Sequence, residues 1–312
     1  MKKQDTLQKG WVVTILALCC TFLWGSAFPC IKIGYEMFSI ASDDIASQIL
    51  FAGLRFALAG VLAIVIGSIA SRKVLIPRKT SWGMVLKLSL AQTIIQYLLF
   101  YIGVANTSGV KASIVEASSV FLTILISSLI FHYEKLTRFK VAGCLLGFAG
   151  VVLINLNGGS GLGGGMSFMG EGCILLSAVS YAVSSVLIKK FGQFENPVAL
   201  SGYQFVLGGI VLALAGKAMG GHLQGFTVQS TLLLIYLAMI SAVAYSLWGI
   251  LLKHNPVGRV AIFGFANPVF GVILSAVLLH EQNQAFTIQG LISLLLVCLG
   301  ICLVNRDFSD QK

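Results

Sequence analysis

The chain has 312 residues, of which 57% are hydrophobic and only 10% are charged. A soluble domain carries about 25% charged residues, so this composition excludes an ordinary soluble enzyme or binding domain. The hydrophobic residues come in blocks of about twenty, the length of helix that crosses the hydrocarbon core of a bilayer. The sequence therefore predicts an all-α polytopic membrane protein.

Ten apolar segments follow one another along the chain, and we predict that each forms a transmembrane helix. They are residues 11–33, 48–70, 82–104, 108–131, 140–156, 168–190, 197–218, 228–252, 256–279 and 286–304. Pro197 and Pro256 open two of them, at a helix position where a missing N–H leaves no hydrogen bond unmade. The connections are short, so no extramembrane domain is expected.

The first segment contains Gly25 and Pro29 inside the run CTFLWGSAFPCIKIGYE. Proline has no N–H to offer the carbonyl of Gly25, so the pair should loosen or bend the helix. Irregular backbone at membrane depth is tolerated where it is buried in protein or lines a cavity. We interpret Gly25 and Pro29 as a hinge, with Pro268 as its counterpart in the ninth segment. A kink that only shapes helix packing is the alternative.

Arg55 and Glu116 are the two charged residues that lie deepest inside the predicted segments, in the second and the fourth. Both lie roughly 10–12 Å from the same membrane face at 1.5 Å per residue. Isolated charges in hydrocarbon are unfavourable, so the two are expected to pair. The pair could fix the bundle, or Glu116 could take up and release a proton. Lys111 is expected to point away from this polar face, toward the membrane surface.

Polar and aromatic side chains form stripes on several segments, and we predict that they line a central cavity. The predicted lining residues are Trp24, Ser26, Gln96, Glu116, Ser119, Tyr181, Ser184, Gln204, Tyr245, Trp248 and Asn267. Serine, threonine and glutamine also join packed helices, which is the alternative for each stripe.

The positive charges lie mainly on one side of the predicted bundle. With the N-terminus placed in the cytoplasm, 16 of the 21 lysines and arginines fall in or next to cytoplasmic connections. Positive residues mark the cytoplasmic side of membrane proteins, so we predict a multi-pass protein of the cell membrane with both termini inside. The net charge of +10 is thus an orientation signal, not the footprint of a nucleic-acid partner.

The chain repeats itself with a shift of about 150 residues. GLRFALAG at 53–60 matches GYQFVLGG at 202–209, and EKLTRFKVAG at 134–143 matches EQNQAFTIQG at 281–290. We predict two five-helix halves, 1–157 and 166–312, joined by a glycine-rich linker at 158–165. Because five is odd, the second half must enter the membrane inverted, an architecture typical of transporters.

No cofactor or metal site is expected. All seven cysteines lie in apolar segments, where cysteine usually behaves as a small hydrophobic residue. GSGLGG at 159–164 satisfies a dinucleotide-binding pattern, but it follows a hydrophobic helix rather than a strand.

Four motifs, LWGSAF, LRF, AVSYAVSSVLIKK and NPVFGVILSAVLLHEQ, resemble the EamA-like family of the drug/metabolite transporter superfamily. The resemblance covers nearly the whole chain. It implies ten helices, cytoplasmic termini and secondary transport of small metabolites or drugs through a central cavity. One departure is that Ser118-Ser119, the first-half counterpart of Asn267-Pro268, lacks the proline.

We therefore expect a secondary active transporter that moves an amino acid, a related metabolite or a drug by alternating access, with export as the expected direction. Its partners would be the substrate, the lipid bilayer and protons as a candidate coupling ion. The substrate and the choice between monomer and homodimer stay open. A membrane enzyme and a passive channel are the alternatives, but an enzyme would need clustered reactive side chains that the segments do not display.

Overall fold

The computed structural model of the protein describes residues 6–132, 136–155, 167–255 and 262–309, together with Val260. Within these ranges the chain forms helices and connections, without a β-strand. The longer helices are α1 (Gly10–Met37), α2 (Ile45–Ser71), α3 (Lys79–Ala105), α4 (Gly109–Ile130), α5 (Arg138–Asn155), α6 (Phe168–Gly172, continuing as Cys173–Phe191), α7 (Pro197–Ala218), α8 (Val228–His254), α9 (Ala266–Leu278) and α10 (Ile288–Ser309). Short helical turns lie at Thr6–Gln8, Ile262–Phe265 and Gln282–Ala285.

The helices confirm the predicted fold class. Over the described ranges, seven of them, α1 to α4 and α6 to α8, are long and apolar enough to cross a membrane. Helix α9 and the apolar part of α10, Ile288–Gly300, are shorter. The chain is thus an all-α polytopic membrane protein, while the count of ten spans stays a prediction. The predicted linker at 158–165 and Pro256 lie outside the described residues.

Several helices begin at side chains that satisfy their first backbone N–H groups. Asp44 accepts a hydrogen bond from the N–H of Ser47 at 3.0 Å at the start of α2. Asn196 caps α7 directly before Pro197, and Thr227 with Ser230 forms a reciprocal cap on α8. Such caps explain why the helices start within a few residues of the predicted positions.

The two copies of the first sequence repeat pack against each other. Helices α2 and α7 cross closely, and a Cβ added at Gly60 would lie 2.5 Å from the carbonyl oxygen of Gly202. Helices α5 and α10 pair in the same way, since a Cβ at Gly300 would lie 2.6 Å from the carbonyl oxygen of Gly143. Glycine is needed at these crossings because the backbones themselves approach one another.

The remaining helices pack in two groups around the middle of the bundle. Helix α1 packs against α8 and α9, and α6 packs against α3 and α4. Helix α4 also runs along α9.

The irregular backbone lies mainly at other places than predicted. Helix α1 is helical throughout, with Pro29 inside it, and Pro268 occupies the first turn of α9, where proline is tolerated. Instead, α3 contains a π-helical segment at Ser89–Ile95, and α4 is interrupted at Ala117. π-Helical segments are frequent at functional sites.

Gly25 has a packing reason to be glycine. A Cβ there would lie 2.7 Å from the Cβ of Phe270 on α9, which is too close for any side chain. This contact favours the packing interpretation at Gly25. The hinge role of Gly25, Pro29 and Pro268 stays a prediction.

Candidate functional site

An aromatic cluster of Trp24, Tyr97, Tyr245 and Trp248 joins α1, α3 and α8. The ring of Trp24 lies 5.4 Å from that of Tyr245 and 5.1 Å from that of Trp248, between centroids. The hydroxyls of Tyr97 and Tyr245 are 2.8 Å apart, at hydrogen-bond distance. These are favourable spacings for aromatic pairs, and the cluster offers a large apolar surface with polar edges.

Four buried polar atoms at predicted lining residues have no hydrogen-bond partner within the part of the chain that the structure describes. They are Trp24 Nε1, Gln96 Oε1, Glu116 Oε2 and Asn267 Oδ1. Buried polar groups are almost always paired, so each unpaired one calls for an explanation. The set contains one donor and three acceptors.

The packing of α4 on α9 places Asn267 at the level of Glu116. A Cβ on Gly109 would contact Ser275, and one on Gly271 would contact Ser113, so the two helices run antiparallel. One turn further along each helix, Asn267 comes opposite the stretch that contains Glu116.

Trp24 and the tyrosines lie in the same region. Gly25, which follows Trp24, packs on Phe270 and Gly271 of α9. The ring of Trp24 contacts that of Tyr245 across α1 and α8, and α1 also packs against α9. The aromatic cluster, Glu116 and Asn267 therefore surround one region, where α4 is also interrupted. We call this region the central site.

The ion pair that we predicted between Arg55 and Glu116 is not formed. Arg55 is 2% exposed and donates hydrogen bonds to the Leu237 carbonyl, to the Tyr101 hydroxyl and to Ser241. Its guanidinium also lies 4.9 Å from the centroid of the Phe56 ring, a favourable cation–π distance. Arg55 thus joins α2 to α3 and α8 without a carboxylate.

Lys111 does not point outward as predicted. It is 7% exposed, and its Nζ lies 3.5 Å from the Glu171 carboxylate at the start of α6. Glu171 also accepts hydrogen bonds from the Thr107 hydroxyl and the Ser167 N–H. Lys111 and Glu171 therefore neutralise each other inside the bundle.

A second carboxylate binds the start of α4. Glu281, between α9 and α10, accepts hydrogen bonds from the N–H groups of Gly109 and Val110 at 3.1 and 3.0 Å. A carboxylate at a helix N-terminus satisfies free N–H groups and matches the helix dipole. We call Thr107, Lys111, Glu171 and Glu281 the end cluster.

Other predicted lining residues are satisfied by the protein itself. Ser26 bonds to the Leu23 carbonyl and the Tyr236 hydroxyl, and Ser184 donates to the carbonyl of Tyr181. Gln204, on α7, donates to Gln92 Oε1 on α3 at 2.9 Å. Ser119 is buried, and its carbonyl accepts a hydrogen bond from Thr123. For Ser26, Ser184 and Gln204 the geometry fits the joining of helix turns and neighbouring helices.

Tyr97 is the member of the central site that sequence reasoning missed. The sequence predicted Gln96 as the lining residue of this helix, on the assumption of a regular helical period. The π-helical segment Ser89–Ile95 changes the angular position of every later residue. Tyr97 thereby reaches Tyr245, a contact that a 3.6-residue period does not reveal.

Among the residues that the structure describes, no three histidine, cysteine, aspartate or glutamate side chains lie together in a way that could hold a metal ion.

The comparisons with known proteins agree with one another. The family model of the EamA-like transporter family matches residues 11–156 and again residues 168–306. The uncharacterized transporter YvbV of Bacillus subtilis is 28% identical over 305 residues, covering 96% of this chain and 94% of its own. A protein of Escherichia coli named a probable amino-acid metabolite efflux pump is 28% identical over 291 residues, covering 88% of this chain and 90% of its own.

A solved crystal structure has the same fold. It superposes with a TM-score of 0.68 at 19% sequence identity and covers 95% of this chain and 98% of its own.

Proposed function

This chain belongs to the EamA-like transporter family and is a membrane transporter, and we propose that it is a secondary active exporter working by alternating access. Its proposed substrate is a small metabolite, such as an amino acid or a related compound, or a drug. The name of the similar Escherichia coli protein, a probable amino-acid metabolite efflux pump, supports this class.

The observation that carries the proposal is the central site. It combines aromatic faces with donor and acceptor atoms that have no partner in the described part of the chain, at the meeting of α1, α4, α8 and α9. Sites for small molecules typically have this composition, with a largely apolar lining and a few polar groups that orient the ligand. The lining role of Gln96, Ser119 and Tyr181 belongs to the same proposal.

We further propose that residues 1–157 and 166–312 are inverted halves. The pairing of α2 with α7, in which the glycines of the first sequence repeat meet, supports this arrangement, and so does the pairing of α5 with α10. The match of one family model to residues 11–156 and again to residues 168–306 also supports two related halves. Inverted halves that move against each other around a central site provide alternating access.

Protons are the proposed coupling ion, and Glu116 is the proposed carrier. Without Arg55 as a partner, its carboxyl is free to gain and lose a proton as the site changes exposure. We expect Glu116→Gln to keep substrate exchange but to lose the response to an imposed pH gradient. The matched control is Glu36→Gln, on the exposed end of α1, which should behave as the parent.

The test is counterflow of radiolabelled amino acids and related metabolites into proteoliposomes that contain the purified chain. Saturable counterflow that protein-free liposomes lack supports the carrier. Flux that rises linearly with concentration would indicate a channel, and chemical conversion of the solute would indicate an enzyme. If Glu116→Gln still accumulates substrate along a pH gradient, protons are not coupled through this residue.

A further inference from the structure

Glu116 lies inside the bundle, and within the described ranges no lysine, arginine or histidine forms an ion pair with it. Among the residues that the structure describes, its Oε2 has no hydrogen-bond partner, and the same holds for Asn267 Oδ1 on the helix that packs alongside. An ionised carboxylate in such surroundings is unfavourable unless a positive group or several donors face it. The central site is therefore rich in acceptors and short of donors.

We infer that the central site recognises an amine, bound as an ammonium group by Glu116 and Asn267. The apolar body of the ligand would lie against Trp24, Tyr245 and Trp248. This inference rests on the proposed transport function and names the substrate class of the same site.

The chemistry of an ammonium group matches each part of the site. Such a group offers up to three N–H donors and no acceptor, which suits a carboxylate and an amide oxygen. Its charge compensates that of Glu116, and a charge-assisted hydrogen bond is about twice as strong as a neutral one. The faces of tryptophan and tyrosine also attract cations.

Other ligand classes fit the site less well. A simple carboxylate would be repelled by Glu116, and a neutral apolar compound would leave both acceptors unpaired. Arg55, a buried cation of the bundle, already donates to three acceptors on α3 and α8. A proton and an ammonium group would be alternative occupants of the Glu116 carboxylate, so the inference is compatible with proton coupling.

The test compares amines with their matching alcohols on the purified full-length chain in detergent. The probes are 2-phenylethylamine with 2-phenylethanol, and the n-alkylamines from butylamine to octylamine with the corresponding alcohols. Each pair has the same carbon skeleton, so apolar contact is held constant. We expect at least one amine to raise the thermal unfolding midpoint and to bind about ten- to a hundredfold more tightly than its alcohol.

Two variants connect this preference to the site. Glu116→Gln, which keeps the size of the side chain, should bring the affinity of the amine down to that of the alcohol. Asn267→Leu should weaken amine binding about tenfold. Glu36→Gln makes the same chemical change on an exposed helix end and should leave the preference intact.

The inference is overturned if no amine binds more tightly than its alcohol, or if the preference survives in Glu116→Gln. Two results together would contradict this inference and still support the transport function. They are saturable counterflow of a compound without an amino group, and no preference for amines in binding. Amine binding without counterflow of any solute would support this inference and contradict the proposed transport function.

Discussion

Arg55 shows which properties of a buried charged residue can be predicted from the sequence and which cannot. Its depth follows from counting residues along the second segment, and the structure does bury it. Its partners do not follow, because they depend on how α2 is rotated against α3 and α8. The sequence suggested the nearest opposite charge at the same depth, Glu116, whereas the folded chain supplies a carbonyl and two hydroxyls.

We predict that Arg55→Ala destabilises the protein. Hydrogen bonds to a charged group contribute about 1.5–3 kcal/mol each, and the Leu237 carbonyl would lose the guanidinium donor. The expected result is a lower thermal unfolding midpoint in detergent. Lys87→Ala, on an exposed side chain of α3, is the control and should leave the midpoint unchanged.

The same geometry predicts that Glu116→Gln does not rescue the Arg55→Ala variant. Residues that share no contact have additive effects within about 0.3–0.5 kcal/mol. Rescue of stability in the double variant would show that the two charges interact after all.

At the level of helices, the sequence predicts best where helices exist and predicts least well where their backbone departs from a regular α-helix. Blocks of twenty apolar residues locate membrane-length helices because the bilayer sets their length. The π-helical segment at Ser89–Ile95 and the interruption at Ala117 depend on the neighbouring helices, so no local sequence pattern predicts them. Pro29, which did carry a local signal, lies within a helix that continues on both sides.

We predict that Gly60→Ala destabilises the pairing of α2 with α7. The added Cβ would lie 2.5 Å from the Gly202 carbonyl oxygen and from the N–H nitrogen of Val206, which are backbone atoms and cannot turn away. Overpacking of this kind costs typically about 1–3 kcal/mol. Gly83→Ala is the matched control, because nothing lies within 4 Å of its Cβ position.

Thermal unfolding and the yield of monodisperse protein measure this effect. An equal midpoint for the Gly60 and Gly83 variants would mean that the crossing can open without loss of stability.

At the level of the whole molecule, the end cluster connects the two proposed halves. Thr107, Gly109 and Lys111 come from the first half, while Glu171 and Glu281 come from the second. The sequence does not bring these charges together, because contacts between distant parts of a chain have no local pattern. Alternating access requires the halves to separate at one end at a time, so these contacts should hold this end closed.

We therefore predict that Glu281→Gln shifts the protein toward a state that is open at the end cluster. The change removes the negative charge that faces the N-terminus of α4, and charge-assisted bonds of this kind contribute about 1.5–3 kcal/mol. The reporter is Ser113→Cys in a background without the native cysteines, since Ser113 is 1% exposed and lies against Gly271. A membrane-impermeant maleimide should label it several-fold faster in the Glu281→Gln variant, while Glu36→Gln should not change the rate.

Because the proposed orientation puts this end outside the cell, labelling should occur on intact cells. Labelling only from the cytoplasmic side would reverse the orientation, and an unchanged rate would show that the Glu281 contacts do not hold the end closed.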